Sequence, residues 1–154
     1  MPARSAGLLL HRTTADGTLE VLLVHPGGPF WARKDAGAWS IPKGEHGDDE
    51  DAQAAALREF EEETGTALTP AALDELGTVR QRSGKHVTAW AVEGDLDADS
   101  IESNTFEMEW PPRSGRKGTF PEVDRAGWFG LDAAREKLNP AQVAFLDRLG
   151  ELLA

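Results

Sequence analysis

GEHGDDEDAQAAALREFEEETGT, residues 44–66, is the stretch on which the reading of the chain turns. It opens on an isolated glycine and an acidic turn, then passes through an alanine-rich run. It ends in Arg58-Glu59-Phe60-Glu61-Glu62-Glu63 followed by Thr64-Gly65. Asp48 or Asp49 suits a helix N-cap, further acid suits the first turn, and Gly65 suits a left-handed stop. About four helical turns fit between those signals. At about 100° per residue, Gln53, Ala56, Leu57, Phe60 and Thr64 share one arc, which is predicted to pack. Glu59, Glu62 and Glu63 share the neighbouring arc with Ala52 and Ala55, whose short side chains are expected to leave room for a ligand.

Four glutamates in five residues repel one another at helical spacing. Glu59 is i,i+3 from Glu62 and i,i+4 from Glu63, so three carboxylates can converge on one place. Arg58 lies i,i+4 from Glu62 and can hold it by a charge-assisted hydrogen bond. Hard divalent cations take oxygen ligands, and Mg²⁺ is commonly held by a few carboxylates together with water and substrate phosphates. Geometry alone leaves a solvated acidic helix face as an equal alternative.

The spacing supplies more. Gly44, then five residues, Glu50, seven residues, Arg58-Glu59-Phe60, one residue, Glu62-Glu63, one residue, Gly65 and Thr66 resembles the Nudix box of the Nudix hydrolases, preceded by Trp39-Ser40-Ile41-Pro42-Lys43. Thr66 departs from the pattern, which usually has an aliphatic residue there. The departure touches packing and leaves every chemical position in place. The resemblance covers about 23 of 154 residues. It implies Mg²⁺, with Mn²⁺ as a substitute, held by Glu59, Glu62, Glu63 and the carbonyl of Gly44. Arg58, Glu59, Glu62 and Glu63 are the implied catalytic set. Gly44 is expected to let the backbone turn tightly, and Glu50 either orients water or pairs with Arg58. The family also implies a base outside the box, for which Glu102, Glu107 and Glu109 are candidates. Glu107 is carried forward as that base.

With 154 residues the chain is expected to be a single domain spanning residues 1–154. Hydrophobic residues make up 40% with no long apolar run, and residues 1–4 do not resemble a secretory leader, so a cytoplasmic protein is expected. The absence of cysteine excludes disulfides, thiolate nucleophiles and thiolate metal sites. His11, His25, His46 and His86 show no close ligand pairing. A formal charge of -11 argues against binding nucleic acid or an anionic membrane. It would also repel a polyphosphate unless local cations reverse the field. Lys43, Arg82, Lys85, Arg113, Arg116 and Lys117 are therefore the candidate phosphate contacts, solvated loop charge being the alternative for each.

Along the chain, residues 5–12 (SAGLLLHR) and 19–25 (LEVLLVH) read as a hairpin about Asp16-Gly17. In the loop 26–38, Phe30 and Trp31 are expected to fold back over the core rather than stack a base. Arg33 and Lys34 fit phosphate contact and solubility equally. A turn begins at Pro70-Ala71-Ala72, followed by an uneven strand over 73–80. Ser83-Gly84 turns into a strand over 85–93, with Val87, Ala89 and Ala91 on one face and His86, Thr88, Trp90 and Val92 on the other. Residues 105–110 read as a strand and 113–120 as a basic mobile loop, suited to closing over phosphates. A strand over 126–129 leads into a helix over 131–137 capped near Asp132. Pro140 opens a final helix over 141–152, whose Val143, Leu146, Leu149, Leu152 and Leu153 form a packing stripe. The expected architecture is α+β, an α/β/α sandwich whose mixed sheet carries the box helix, as in the Nudix fold.

The expected chemistry is hydrolysis of a diphosphate linkage by direct attack of water, since Ser40 and Ser83 have no histidine partner for covalent chemistry. A small nucleotide or polyphosphate is the expected partner, with the protein a monomer or homodimer. Residues 120–129 followed by Pro140-Ala141-Gln142 resemble a bacterial group of nucleotide pyrophosphohydrolases, which favours nucleoside triphosphates. The box flank also resembles dinucleoside polyphosphate hydrolases, but the tyrosine common after the box in those enzymes is impossible in a chain without tyrosine. An ADP-ribose pyrophosphatase and a non-catalytic nucleotide-binding regulator fit the same residues less well.

Overall fold

A computed structural model describes residues 3–69 and 72–154, so the turn expected to begin at Pro70 and Ala71 lies outside the described residues. Strand β1 (Arg4–Thr13) is almost continuously buried, and its alternation decides the layering. Leu8 and Leu10 point to one side of the sheet and Leu9 to the other, because successive strand side chains alternate. Both faces are therefore covered.

The sheet runs β4-β5-β1-β2-β8, with the short β3 (Lys43–Glu45) paired to β1. β1 lies parallel to β5 (His86–Glu93) and antiparallel to β2 (Leu19–Pro26) and β3, so the sheet is mixed. β4 (Asp74–Arg80) closes one edge and β8 (Val123–Gly130) the other. On one face, helix α1 (Ala52–Thr64) packs Ala55, Ala56 and Phe60 against Leu8, Leu10, Leu22, Trp90 and Val92. Phe60 is fully buried, and its removal from water contributes on the order of 2 kcal/mol. On the other face, α2 (Leu131–Lys137) and α3 (Val143–Leu153) cover Leu9, Val21, Leu23, Val87, Ala89 and Ala91. The architecture is the expected α/β/α arrangement, and the two faces of β5 divide as predicted.

Several local expectations fail for physical reasons. Ala55 is fully buried, bringing the helix close to the sheet and leaving no room for a ligand there, whereas Ala52 is half-buried and lines a cavity of about 310 Å³. The stripe on α3 is completed by Phe145, while Leu152 and Leu153 are 44% and 47% exposed at the end of the chain. Phe30 and Trp31 do not fold over the core, being 61% and 40% exposed. Residues 117–121 form a strand, β7 (Lys117–Pro121), which pairs with β6 (Thr105–Glu109) in a separate two-stranded ribbon. A Lys-Gly-Thr-Phe-Pro run has little apolar alternation, so its strand character comes from its partner. α2 starts where expected, with Gly130, two residues before Asp132, at its N-cap and no side-chain bond there.

Candidate active site

The N-terminus of α1 is capped by Asp51, whose carboxylate accepts from Ala54 N–H at 3.0 Å, further along the chain than Asp48 or Asp49 would place it. At the other end Gly65, with φ of 78°, donates its N–H to the Glu61 carbonyl at 2.7 Å. Two further terminal carbonyls are taken by the segment that precedes β6. Asn104 N–H donates to Glu62 O at 2.8 Å and Glu102 N–H to Thr64 O at 2.9 Å. Glu122 N–H then donates to Asn104 O at 2.8 Å, and Glu122 O accepts from Gly27 N–H at 2.9 Å. Ser103 Oγ also bonds both the N–H and the carbonyl of Val123, at 3.1 and 3.0 Å. This backbone relay carries Glu122 from a distant part of the chain to the acidic helix.

Arg58 organises the outer side of the cluster. Its Nε and one terminal nitrogen meet the two oxygens of Glu50, both at 2.9 Å, while the other terminal nitrogen meets Glu59 at 2.8 Å and Glu62 at 3.2 Å. The fork-to-carboxylate pair with Glu50 holds that carboxyl below its usual range and raises the guanidinium further. Of the two roles open to Glu50, pairing with Arg58 is the one observed. The inner side is drier. Glu59 is 8% exposed, and a Cβ on Gly44 would lie 2.0 Å from its carboxyl carbon. Gly44 is thus required by close approach of the carboxylate. Its φ is not left-handed, so the expected tight turn is not its reason.

Burial raises the Glu59 carboxyl despite Arg58. Glu63 is pushed up to about 8, chiefly by burial and further by Glu59 and Glu122, against the N–H and ammonium of Lys43. The Lys43 N–H donates to Glu63 at 3.3 Å. Burial likewise lowers the Lys43 ammonium. Strongly perturbed groups of both signs therefore face one another in a cleft of about 130 Å³ lined by Lys43, Glu63 and Glu122. Pro26, Ser40 and Lys43 also line an adjoining cavity of about 190 Å³ that reaches Trp31, Gln81 and Asn139. Lys43 is the one charged residue common to both linings.

Residues 1–149 match the NUDIX domain family. The chain belongs to that family. Membership carries pyrophosphohydrolase activity on phosphoanhydride bonds and, in general, dependence on a metal ion. The NUDIX fold is shared with Caenorhabditis elegans Ap4A hydrolase in a binary complex, at 22% identity over 98% of this chain and 97% of that one, with a TM-score of 0.70. It is shared with the NUDIX domain of Shewanella oneidensis NrtR complexed with ADP ribose, at 18% identity over 100% and 90% of the two chains and a TM-score of 0.67. The E. coli ORF135 protein is similar at 22% identity over 99% and 91%, with a TM-score of 0.64. No curated protein matches the chain.

The NUDIX site gathers some of the sequence candidates and separates others. Gly44, Arg58, Glu59, Glu62 and Glu63 stand together, with Lys43 beside them. Lys85 lies close enough to Lys43 to lower it and forms a 3.7 Å ion pair with Glu45. Arg82 is exposed on the turn before β5. Glu107 is exposed in the ribbon opposite Thr119, and Arg113, Arg116 and Lys117 lie at the ribbon's far end. Among the described residues no side-chain hydrogen bond or ion pair joins any of these four to the box. Glu122 is the carboxylate that sequence reasoning passed over. It sits in the 120–129 stretch, but it is long-range pairing, above all of Asn104 with Glu122, that brings it to Glu63.

An all-oxygen donor set, with Glu59 buried and Glu62 and Glu63 half-buried, suits a hard divalent cation. The fit is to a site completed by substrate: among the described residues, no three acidic or histidine side chains form a ready-made metal group. Arg58 draws Glu59 and Glu62 toward itself, and Glu63 leans on the Lys43 N–H. No helix among the described residues is long and apolar enough to cross a membrane.

Proposed function

We propose that this protein is a Mg²⁺-dependent pyrophosphohydrolase of nucleoside triphosphates or related nucleoside diphosphate derivatives, acting as one NUDIX domain through direct attack of water on phosphorus. The observation that carries this reading is that Lys43 lines both a carboxylate cleft and an aromatic-walled pocket. Glu59 and Glu63 are the principal residues that would hold Mg²⁺ or Mn²⁺, with Glu62 and the Gly44 carbonyl beside them. When bound, the ion supplies charge neutralisation at the phosphates and makes the attacking water more acidic.

The chain's own groups supply the rest. Lys43, which lines both spaces, meets phosphate charge where an uncompensated polyphosphate would be repelled by the cluster. Arg58 keeps Glu50, Glu59 and Glu62 in register and offsets their mutual repulsion. Glu122 faces Glu59 and Glu63 from another element and accepts the proton of the attacking water in place of the more distant Glu107. The loss of water's proton and the arrival of negative charge on the leaving phosphate are thereby met by different residues of the cleft.

The test is release of phosphate or nucleotide from a panel of nucleoside triphosphates, Ap4A and ADP ribose, with and without Mg²⁺. Nucleoside monophosphate release from triphosphates, abolished by EDTA, is expected. Faster turnover of Ap4A or ADP ribose would favour the substrates named for the two NUDIX comparators. No release from any member would favour a nucleotide-binding regulator. In ¹⁸O water the label should enter a phosphoryl product, and its absence from both products would sink direct attack by water.

A further inference from the structure

The cavity of about 190 Å³ beside Lys43 contains a chain of amides that the hydrolytic chemistry does not use. It begins at the backbone. Ile41 N–H donates to Gln142 Oε1 at 2.9 Å, and because a backbone N–H is only a donor, the contact fixes which end of that amide is oxygen. Gln142 is fully buried, and its NH₂ group donates to Ser40 Oγ at 3.1 Å and to Gln81 at 2.9 Å. The atom of Gln81 that receives this bond is therefore its carbonyl oxygen. Ser40 Oγ spends its own proton on the Ile41 carbonyl at 2.7 Å.

Asn139 is oriented by the same logic. Its Oδ1 accepts from Ala141 N–H at 3.0 Å, capping the 3₁₀ turn that precedes α3. Gln81 and Asn139 both line the cavity, each with its carbonyl engaged and its NH₂ group without a partner among the described residues. The indole N–H of Trp39 is bonded to Asp35 at 2.8 Å, and the remaining polar side chain is the Lys43 ammonium, another donor. The unpaired polar hydrogens at the cavity, those of the Gln81 and Asn139 NH₂ groups and the Lys43 ammonium, outnumber what the already bonded oxygens of Gln81, Asn139 and Ser40 can still accept, and they favour an acceptor edge. Trp31, 40% exposed, adds an aromatic face at the same cavity.

We propose that this cavity is a nucleobase subsite selective for guanine, a specificity that rests on the reading of the cleft as a nucleotide hydrolase. Guanine presents two acceptors, N7 and O6, along one edge. Adenine sets its N6 amino donor beside N7, cytosine presents an N4 donor, and a thymine or uracil edge offers the single O4 acceptor. An amino group placed against Gln81 or Asn139 leaves N–H facing N–H, with both unpaired. Stacking on Trp31 adds affinity without discriminating among bases.

Binding of nucleoside monophosphates, followed by tryptophan fluorescence in EDTA, tests the subsite without turnover. GMP is expected to bind about tenfold more tightly than AMP, CMP or UMP. Gln81→Glu keeps an oxygen for Gln142 and turns a second oxygen toward the base, so the GMP-to-AMP preference should fall or reverse. Asn139→Asp makes the same exchange at the other amide and serves if Gln81→Glu does not fold. Equal affinity for GMP and AMP, tightest binding of any other base, or an unchanged GMP-to-AMP ratio in both folded variants overturns the guanine subsite. Should no monophosphate bind measurably, kcat/KM for GTP against ATP decides, and equality overturns it. GMP selectivity without hydrolysis of any nucleotide would instead overturn the hydrolase reading and leave the subsite standing, whereas loss of both removes both.

Discussion

The inner face of α1 and the β6–β7 ribbon both carry glutamates at close spacing, yet only on α1 are the carboxylates pressed against other structure. Glu59 is 8% exposed, lies in the space that Gly44 leaves for it, and faces Glu63 and Glu122. Glu107 lies in water on a ribbon whose two strands pair only with each other. The same side chain is thus exposed to water in one place and, as Glu59 and Glu63, raised in proton affinity in the other. Burial makes the difference, because it penalises the ionised form until an opposite charge arrives.

The comparison can be broken most sharply by neutral substitutions on each side. Glu59→Gln or Glu63→Gln is expected to lower turnover about a hundredfold or more while moving the melting temperature by only a few degrees. Glu107→Gln should change turnover less than about twofold. Steady-state hydrolysis beside thermal unfolding measures both, and equal losses in Glu63→Gln and Glu107→Gln would erase the distinction.

Gly44→Ala comes next. The added carbon would meet the Glu59 carboxylate, so a destabilisation of about 1–3 kcal/mol with a smaller loss of turnover than in Glu59→Gln is expected. Denaturant unfolding checks the first part, and a variant as stable as the parent would mean that the helix can withdraw freely.

A pH series sharpens the contrast further. With the Glu63 carboxyl at about 8 against an ordinary 4.5, the folded protein holds a proton that the unfolded chain has released. That contribution to stability is complete below about pH 4.5 and is lost as pH rises through about 8. The raised Glu59 acts in the same direction. Glu50, lowered by Arg58, acts only in more acidic solution and with the opposite sign. Unfolding midpoints in EDTA should therefore fall between about pH 5 and about pH 8.5, and Glu63→Gln should flatten the slope. The smallest effect is expected at the ribbon tip. Arg113→Ala or Lys117→Ala should leave kcat unchanged and raise KM by no more than about twofold, as measured by initial rates at constant ionic strength.

Local signals carried most of the fold. Alternation in β1 and β5, the glycine stop after Thr64 and the 3.6-residue period of α1 each act within a few neighbouring residues, and all were legible. The box picked out Arg58, Glu59, Glu62 and Glu63 as a group for the same reason, and they stand together on α1. Three features were hidden because they depend on contacts between distant residues. β7 forms only because β6 lies beside it, and Gln81 is oriented through Gln142 by Ile41. Glu122 reaches the cleft through a bond to Asn104, with seventeen residues intervening. Charge spacing along the chain could not tell which glutamate outside the box would arrive.

That last bond has a consequence for how the chain tolerates change. Asn104 and Glu122 are fastened together at the root of the ribbon, and each is separately fastened to the body, one to Glu62 and the other to Gly27. Everything between them hangs from a closed clasp. The ribbon's base also rests on the loop after β2, with Trp110 against Phe30 and Phe106 against Gly28, so its exposed tip, residues 112–116, is the part expected to tolerate lengthening or exchange while the carboxylate at the root keeps its station.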